Sequence, residues 1–498
     1  MMNLIDYVLE STNEYMEQMP KEIRKKNGQF FTGKETALFM ASLFDFHLEK
    51  EEVSVLDPGA GSGILTTAFI QTLTSQTNVK KVDVTCYETD QDVLGLLYNN
   101  LKWIKDNSRV DISYKVIEDN YIVGQAFEYN GLLGADLNPK KYDYVISNPP
   151  YKKIGKSTNE ASSMPDICYG SPNLYFLFMQ MGVFNLKEEG ELVFIVPRSW
   201  TSGAYFKKFR EKFLNEVVLE HIHLFVSRDK VFEQEAVLQE TMIIKARKTS
   251  KGPESVKITT TNGNSDFSDI TIFEAPYNMV VSGDHKYVFL LTCQDEVDTV
   301  KKVNMWNNTL PGMGLKMKTG LTVDFRNREV LRNYDEEKAV PLFYSQHIQD
   351  GKVVFPVGKE NEYIVTNQNG LLQDNKNYLF VKRFTSKEEK RRLQCGVYLA
   401  RKYPEYPAIS TQNKLNFITG KEALSDCIVC GLYVIFNSTL YDDYYRILNG
   451  STQVNSTEIN SIPVPPLDYI ERMGRELINV KNMSVKTSDE ILGRFMYG

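Results

Sequence analysis

Short apolar strands alternate with helical patterns between residues 20 and 248, and this alternation constrains the fold more than any other feature of the sequence. A predicted helix, LTTAFIQTL (65–73), lies between the first two predicted strands. The predicted strands are VSVLD (53–57), VDVTCYE (82–88), YDYVISN (142–148) and GELVFIVP (190–197). Because this βαβα order produces a parallel sheet covered by helices, the first half of the chain is predicted to be a doubly wound α/β domain.

The pattern changes after Lys251-Gly252-Pro253, where short strands, Gly and Asn turns and irregular polar stretches follow one another. The length of 498 residues also exceeds what a single hydrophobic core usually supports. We therefore expect two domains. Residues 1–250 form the α/β domain with an N-terminal helical segment, and residues 251–498 form a second domain of mixed α+β content.

The composition is that of a globular protein, with 42% hydrophobic and 24% charged residues. The formal net charge of −6 argues against an extended nucleic-acid-binding surface, because phosphate contacts need Lys and Arg. Net charge says little about a cleft, however, and basic residues cluster at 21–26, 207–210 and 382–392. Each cluster is expected to be either a solvated face or a phosphate contact.

Six cysteines, of which only Cys427 and Cys430 are closely spaced, predict neither a disulfide framework nor a zinc site. His221 and His223 alternate along a predicted strand and are expected on its exposed face. No metal is implied.

The N-terminus has no basic segment before a long apolar run, and no stretch reaches the roughly 18 to 20 apolar residues of a membrane span. A cytoplasmic protein is expected.

The segment VLDPGAGSG (55–63) follows the first predicted strand, at the place where an open α/β sheet binds nucleotides. Gly59, Gly61 and Gly63 allow the backbone to turn sharply and to approach a ligand closely. A dinucleotide site would have the spacing GxGxxG, whereas this loop has GxGxG. Asp57 beside the glycines favours a ligand that carries an ammonium or a sulfonium group rather than phosphates.

Two further strand ends carry polar groups. The second predicted strand ends at Glu88, whose carboxylate can accept hydrogen bonds from both hydroxyls of a ribose. The strand YDYVISN runs into Asn148-Pro149-Pro150-Tyr151, and the two prolines fix φ near about −65° and remove two N–H donors. The carbonyl groups are thereby directed at a substrate without competing donors.

This set of motifs resembles the S-adenosylmethionine-dependent DNA methyltransferases that modify the exocyclic amino group of adenine. The order GQFFT (28–32), DPGAGSG, NPPY and a C-terminal recognition domain is similar to that of the gamma group, which includes the TaqI methylase. The second half resembles the PstI and BsuBI methylases through TGLTVDFR (319–326) and VKRFTSKEEKRR (381–392). The resemblance implies S-adenosylmethionine as cofactor and a Rossmann-like methyltransferase fold followed by a target-recognition domain.

The resemblance also implies roles for individual residues. Gln29, Phe30, Phe31 and Thr32 would pack over the methionine end of the cofactor. Asp57, Gly59, Gly61 and Gly63 would be further cofactor-binding residues, and Glu88 would bind the ribose hydroxyls. After the third strand, either Asp119 or Asn120 would accept the amino hydrogen of the cofactor's adenine. Phe232 would close the flipped base from its second face, although a core role is an equal alternative.

The catalytic residues are predicted to be Asn148, Pro149, Pro150 and Tyr151. The adenine amino nitrogen is a poor nucleophile because its lone pair is delocalised into the ring. The side-chain oxygen of Asn148 and the carbonyl of Pro149 can each accept one amino hydrogen and so localise that lone pair. Tyr151 offers a π-face to a base that has left the duplex stack.

Together, the motifs and the resemblance predict a site-specific adenine-N6 DNA methyltransferase that acts on double-stranded DNA. Lys382, Arg383, Lys390, Arg391 and Arg392 are expected to contact phosphate, and the polar residues 451–460 to read base edges. A monomer is expected, with a cognate restriction endonuclease that shares the target site without forming a stable complex. The resemblance suggests CTGCAG as that site. The alternatives are a methyltransferase that acts on RNA or on a protein glutamine, and a catalytically idle DNA-binding subunit.

Overall fold

The computed structural model describes residues 3–18, 31–132, 139–225, 241–264, 267–385, 389–449 and 452–496. It divides into two compact units. The first comprises Met1–Thr201 and Tyr205–Thr292, and the second comprises Ser202–Ala204 and Cys293–Gly498.

The first unit combines helices with one large sheet. Its described α-helices are α1 (Leu4–Gln18), α2 (Lys34–Ser42), α3 (Ile64–Gln76), α4 (Gln91–Asn107), α5 (Ala126–Tyr129), α6 (Asn159–Ser163), α7 (Leu174–Asn185), α8 (Lys207–Glu216) and α9 (Tyr277–Val280). Its described strands are β1 (Glu52–Pro58), β2 (Lys81–Tyr87), β3 (Asp111–Ile117), β4 (Tyr142–Ser147), β5 (Leu186–Pro197), β6 (Val218–Phe225), β7 (Thr241–Arg247), β8 (Ser255–Thr261), β9 (Thr271–Pro276), β10 (Val281–Ser282) and β11 (Tyr287–Val288).

Nine of these strands form one sheet in the order β3-β2-β1-β4-β5-β7-β6-β8-β9. The strands β3, β2, β1, β4 and β5 are parallel, whereas β7 runs antiparallel to both of its neighbours. The predicted strands and the predicted helix at 65–73 correspond to β1, β2, β4, β5 and α3, so the predicted doubly wound α/β fold is confirmed.

Alternate residues of the central strands pack on opposite faces of the sheet. Tyr144 and Ile146 of β4 join a core that α1, α2, α3 and α4 complete. Val145 points to the other face, where an added Cβ on Gly182 of α7 would lie 3.7 Å from its Cγ1. Helices therefore cover both faces of β4, and its carboxyl end is held in the centre of the sheet.

The predicted domain boundary at residue 250 differs from the structure. Ser255–Thr261 form β8 and Thr271–Pro276 form β9. Both strands extend the same sheet, and the first compact unit continues to Thr292. Gly252-Pro253 lies between β7 and β8 and does not end the domain. A turn signal marks the end of an element, and only the partner strand shows which sheet the next element joins.

His221 and His223 lie on β6, as the strand prediction requires, but they are buried rather than exposed. Nε2 of His221 lies 2.8 Å from Oγ1 of Thr259, and Nδ1 of His223 lies 2.9 Å from the same atom. Nε2 of His223 lies 3.1 Å from Oγ1 of Thr261. The expectation of an exposed face is wrong because β8 pairs with β6 and supplies these hydroxyl groups.

The carboxylates of Asp45, Glu191 and Glu220 lie close enough together to hold a cation. Two basic side chains of β7 already occupy the space between them. Lys245 lies 3.0 Å from Glu220, and Arg247 forms ion pairs with all three carboxylates. This cluster is therefore an ion-pair network that ties the end of α2 to the sheet.

The second unit contains two smaller sheets and a group of C-terminal helices. Its described helices are α10 (Gln294–Val303), α11 (Asp426–Phe436), α12 (Thr439–Leu448), α13 (Ser456–Ile459), α14 (Leu467–Val480) and α15 (Val485–Met496). Its described strands are β12 (Leu315–Thr319), β13 (Leu331–Arg332), β14 (Val340–Phe343), β15 (Ile348–Gln349), β16 (Lys352–Val353), β17 (Tyr363–Ile364), β18 (Gln373–Asp374), β19 (Tyr378–Lys382), β20 (Cys395–Tyr398), β21 (Ala408–Thr411) and β22 (Leu415–Gly420).

The sheet orders are β12-β22-β19-β20-β16-β15 and β13-β17-β14-β21-β18. Phe343, Phe380 and Tyr398 lie at the centre of an aromatic core between strands of the two sheets. Helix α11 packs closely on α14 and on β20. Within the described ranges of the whole chain, no helix combines the length and the hydrophobicity needed to span a bilayer.

Candidate active site

A cavity of about 320 Å³ opens in the first unit where β1, β2 and β4 end. Carboxyl ends of parallel strands are the usual binding edge of an open α/β sheet. The predicted site residues that line this cavity are Phe31, Gly59, Gly61, Glu88, Asp119, Asn120, Asn148, Pro149 and Pro150. Residues that are 119 positions apart in the sequence, Phe31 and Pro150, therefore meet in one site.

The glycine loop between β1 and α3 has a backbone conformation that requires glycine. Gly59, Gly61 and Gly63 have φ values of 75°, 55° and 80°. A Cβ on Gly63 would also lie 3.0 Å from Leu97 Cδ1 of α4. The loop can therefore bring its backbone to the cavity only with glycine at these positions.

Glu88 follows β2 and is held by three backbone N–H groups. Its Oε2 accepts from Gly61 at 2.8 Å, and its Oε1 accepts from Thr89 at 2.8 Å and from Asp90 at 2.9 Å. A carboxylate offers about four lone-pair directions, so three are filled by the protein. The carboxylate joins the glycine loop to the start of α4 and faces the cavity in a fixed orientation.

Asp57 does not lie where the sequence predicts it. The side chain is completely buried, and its Oδ2 accepts from the hydroxyl of Thr66 in α3 at 2.7 Å. Burial raises the pKa of this carboxyl group to about 7. Asp57 therefore braces β1 against α3 from inside the domain, and a direct contact with a positively charged ligand is not supported.

The two candidates for the cofactor's adenine, Asp119 and Asn120, differ in their hydrogen bonds. The Oδ1 of Asn120 accepts from the N–H groups of Ile122 and Val123 at 3.0 Å, and its Nδ2 donates to Glu160 at 2.9 Å. Asp119 is exposed at the cavity, and its Oδ1 accepts from the N–H of Asn120 at 2.7 Å. The side chain of Asn120 is occupied with the turn that follows β3, which leaves Asp119 as the better placed acceptor.

Asn148 directly follows the end of β4. Ser147 fixes this end, because its hydroxyl donates to the carbonyl of Pro58 at the end of β1 (2.7 Å). The Nδ2 of Asn148 donates to Oγ1 of Thr32 at 3.1 Å. Its Oδ1 accepts from the hydroxyl of Tyr151 at 2.9 Å. The amide of Asn148 is thus bound at both ends on the cavity wall.

Tyr151 follows the two prolines in the sequence. Its hydroxyl group is also 3.0 Å from the carbonyl of Ile195 on β5, and its ring contacts Tyr175 of α7 edge to face. Burial raises the pKa of Tyr151 well above its ordinary value, so this group keeps its proton. Tyr151 is not among the residues that line the cavity, so the stacking surface that the sequence places there stays a prediction.

Several predicted residues fall outside the described part of the chain. These are Gln29 and Phe30 of the GQFFT segment, Phe232, and the basic cluster at 21–26. Lys152, Glu160 and Phe178 line the cavity and were not predicted. Of these three residues, Lys152 alone could have been identified from the sequence, because it directly follows the NPPY motif.

The basic residues of the second unit form a mixed group. Arg392 is fully buried, its backbone N–H donates to Asp442 at 2.8 Å, and burial lowers the pKa of its guanidinium group. A phosphate contact of Arg392 is not supported. Lys382 forms an ion pair with Glu389 (3.1 Å), and Arg391 donates to the carbonyl of Ser438 at 3.0 Å. Arg383 donates to the carbonyl of Asn413 at 2.8 Å.

Two of the polar residues predicted to read base edges, Glu458 and Asn460, form hydrogen bonds inside the second unit. Asn460 exchanges hydrogen bonds with the backbone of Met317 on β12 (2.8 Å and 3.0 Å). Glu458 is completely buried and accepts from the hydroxyl of Tyr445 at 2.8 Å. These side chains stabilise the second unit, so base readout by Glu458 and Asn460 is not supported.

Comparison with known proteins identifies several relatives. Residues 63–232 match the family model of the Eco57I restriction-modification methylase. The chain is 35% identical over 466 residues to the type II methyltransferase M.BsuBI of Bacillus subtilis, with 92% of this chain and 91% of that protein covered. It is 33% identical over 489 residues to the type II methyltransferase M.PstI of Providencia stuartii, with 95% and 93% covered.

Solved structures also match this chain at low sequence identity. The ATP-dependent type ISP restriction-modification enzyme LlaBIII, solved bound to DNA, is 11% identical, has a TM-score of 0.48 and matches 91% of this chain and 39% of its own. The type IIG restriction endonuclease BpuSI is 13% identical, has a TM-score of 0.42 and matches 91% of this chain and 60% of its own.

Proposed function

The chain belongs to the family of type II restriction-modification methyltransferases, and from this premise we propose that it methylates the N6 amino group of adenine within a specific double-stranded DNA sequence. It is a DNA methyltransferase, and its methyl donor is S-adenosylmethionine. The adenine target, the extrusion of the base and the roles of individual residues are the proposed parts.

The residues around the cavity fit the donor. Glu88 would accept from one ribose hydroxyl with its remaining lone pair, and Asp119 would accept from the amino group of the donor's adenine. Gly59 and Gly61 allow the backbone to pass close to the ligand, and Phe31 adds an apolar wall. When bound, the donor supplies a methyl group on a sulfonium sulfur that leaves with the electrons of the broken carbon–sulfur bond.

The observation that carries the proposal is the position of Asn148 and Pro149 on the same cavity wall. Oδ1 of Asn148 and the carbonyl of Pro149 would each accept one hydrogen of an exocyclic amine, which localises the nitrogen lone pair for attack on the methyl carbon. The amine then loses one proton to water. None of the described residues that line the cavity is a cysteine, so the thiol nucleophile needed for methylation at a ring carbon is not offered there.

An amine inside a duplex cannot reach this wall, so we propose that the base leaves the stack before transfer.

Methylation of the target would protect it from a restriction endonuclease with the same recognition sequence. We propose that the protein acts as a monomer and forms no stable complex with that nuclease. The CTGCAG sequence suggested by the resemblance to the PstI and BsuBI methylases is the first duplex to test.

The product distinguishes the possible targets. Purified protein, S-adenosylmethionine and a CTGCAG duplex are incubated, and the nucleosides are separated and identified by mass spectrometry. Methylation-sensitive sequencing of DNA from cells that express the chain identifies the site if this duplex is not the target. We expect 6-methyladenine. Methylcytosine, or methyl transfer only to added RNA or protein, would refute the adenine assignment.

The role of Asn148 is tested by Asn148→Ala. We expect turnover to be lost, while the affinity for S-adenosylmethionine, measured by calorimetry, is retained because this side chain faces the target amine. Asn107→Ala, at an exposed helix end, is the matched control. A loss of donor affinity as large as the loss of turnover would assign Asn148 to the donor instead.

A further inference from the structure

A chain of hydrogen bonds fixes the amide of Asn148. Oγ1 of Thr32 accepts from Nδ2, and the hydroxyl of Tyr151 donates to Oδ1. The two ends of an amide have almost the same shape but opposite hydrogen-bonding character. The groups bound at each end therefore determine how the amide is turned about its last torsion angle.

Thr32 is itself held firmly. It is buried, with 7% of its surface exposed, and it lies two residues before α2. The carbonyl of Gly33 accepts from the N–H of Ala37 at 2.9 Å and so begins the helix. The hydroxyl of Thr32 therefore contacts Asn148 from the residue just before the N-cap of α2.

Tyr151 alone does not fix the amide. Its hydroxyl has one proton, and both Oδ1 of Asn148 at 2.9 Å and the carbonyl of Ile195 at 3.0 Å lie within hydrogen-bonding distance. When the proton is directed to Ile195, the bond to Asn148 is weakened. The contact with Thr32 at the nitrogen end is needed to keep the plane of the amide constant.

We propose that Thr32 is a positioning residue for methyl transfer, whose hydroxyl holds the Asn148 amide so that Oδ1, and not Nδ2, is directed at the target amine. The inference rests on the function proposed above and adds a residue to it. If the amide turned by half a rotation, an N–H group would face the N–H groups of the amine, donor against donor. The role differs from the cofactor contact that the GQFFT resemblance implies, because Thr32 acts through Asn148.

The test compares Thr32→Val, which keeps the shape and removes the hydroxyl, with Thr32→Ser, which keeps the hydroxyl. For Thr32→Val we expect kcat to fall by about 10-fold to 100-fold, the rate equivalent of one buried hydrogen bond. We expect the KM for DNA and the Kd for S-adenosylmethionine to change little. Thr32→Ser should restore most of the lost turnover, which a purely structural role would not predict.

Thr36→Val is the matched control. Thr36 is also a buried threonine of this region, and its hydroxyl donates to the carbonyl of Asn264 at 3.2 Å, away from Asn148. We expect its kcat to equal that of the wild type. Thermal unfolding of all variants verifies that they are folded.

A double-mutant cycle with Tyr151→Phe gives a second measurement, which stands even if one Thr32 variant folds poorly. Because both hydroxyls act on the same amide, the combined loss in kcat should be smaller than the product of the single losses. Independent losses would overturn the inference, as would an unchanged kcat in Thr32→Val, a failure of serine to restore turnover, or an equal loss of donor affinity. Absence of 6-methyladenine from the wild-type reaction would instead overturn the proposed function, and it is seen before any variant is compared.

Discussion

Glu88 is bound by the protein on three sides before any ligand is considered. The N–H groups of Gly61, Thr89 and Asp90 fill three of its acceptor directions and fix the carboxylate at the cavity. A flexible glutamate would lose rotational freedom on binding a ligand, whereas this one has lost it already. The position of the residue at a strand end was evident from the sequence, but its role in joining the glycine loop to α4 was not.

The first prediction concerns this residue. Glu88→Ala should weaken the binding of S-adenosylmethionine by about 1 to 3 kcal/mol, because the hydroxyls of the ligand and the loop N–H groups lose their acceptor. DNA affinity should change little. Calorimetry on the variant and on Glu49→Ala, an exposed glutamate of the same unit, provides the measurement and its control. Unaltered donor affinity in a folded Glu88→Ala protein would refute the assignment.

The residues that the sequence identified are those that end a strand or form a glycine turn. Asn148, Glu88 and the glycines belong to this class, because strand ends of a parallel sheet meet at one edge. Burial of a charge has no such local signal. Asp57 and Arg392 are therefore misassigned from the sequence, since each is paired with a residue of another element, Thr66 and Asp442 respectively.

At the scale of elements, helices α11 and α14 cross at a pair of glycines. A Cβ added to Gly431 would lie 1.8 Å from the carbonyl oxygen of Ile470, and one added to Gly474 would lie 1.8 Å from that of Cys427. Contacts below 3.0 Å with backbone atoms cannot be relieved by rotating a side chain. The two helices can approach so closely only because both positions lack a side chain.

The second prediction follows from this crossing. Gly474→Ala should lower the free energy of unfolding by more than about 2 kcal/mol, because overpacking forces the helices apart. Gly493→Ala is the control, since Gly493 lies in α15 with no atom within 4 Å of the added Cβ. Alanine there should stabilise the protein by about 0.5 to 1 kcal/mol. Urea denaturation measures both, and equal effects would refute the close crossing.

The histidines of β6 give the third prediction. Burial lowers the pKa of His221 to about 4, and the nearby Lys257 and Lys245 act in the same direction. Burial lowers the pKa of His223 to about 3, and His221 and Arg198 act in the same direction. Below pH 6.5 the unfolded chain binds protons that the folded protein does not, so stability falls as the pH decreases from 6.5 towards 4. The loss between pH 7.5 and pH 5 should be roughly 2 kcal/mol for each histidine.

Replacing both histidines by glutamine tests this effect, because glutamine can still donate and accept hydrogen bonds but does not titrate in this range. We expect the difference between urea midpoints at pH 7.5 and pH 5 to become smaller in the double variant. The control is His47→Gln, which makes the same chemical change at a histidine outside β6. An unchanged pH dependence in the double variant would show that other groups cause it.

The elements of the first sheet were predictable as far as β5, because parallel strands and their helices follow each other in the sequence. The far edge of the sheet was not, since β7 lies between β5 and β6 in the order of the strands and β8 pairs with β6. Pairing between strands is set by packing rather than by local pattern. The same pairing explains why His221 and His223 are buried.

At the scale of the whole molecule, an acidic protein must bind a polyanion. The formal charge is −6, yet Lys152, Lys153 and Lys156 are exposed in the segment that follows the NPPY motif, and Lys152 lines the cavity. A local group of exposed lysines attracts phosphate although the net charge is negative. These lysines are better placed for phosphate contacts than Arg210 and Arg392, which are buried in the predicted basic clusters.

The fourth prediction is that replacing these three lysines by glutamine weakens the binding of specific and non-specific duplexes alike. The slope of log affinity against log salt should become shallower by about 0.9 for each phosphate contact that is lost. Lys102, Lys105 and Lys115, exposed elsewhere on the first unit, provide a triple control with the same change in charge. An unchanged slope in the first triple variant would place the phosphate contacts elsewhere.

The fixed carboxylate of Glu88 has a kinetic consequence. If Glu88 and Asp119 hold the nucleoside part of the donor as proposed, they hold the same part of S-adenosylhomocysteine, the product that remains after the methyl group has left. The by-product then competes with the donor for the pocket and inhibits the enzyme. The rigidity of the pocket makes this inhibition strong. Turnover in a cell would follow the ratio of donor to by-product more closely than the concentration of the donor alone.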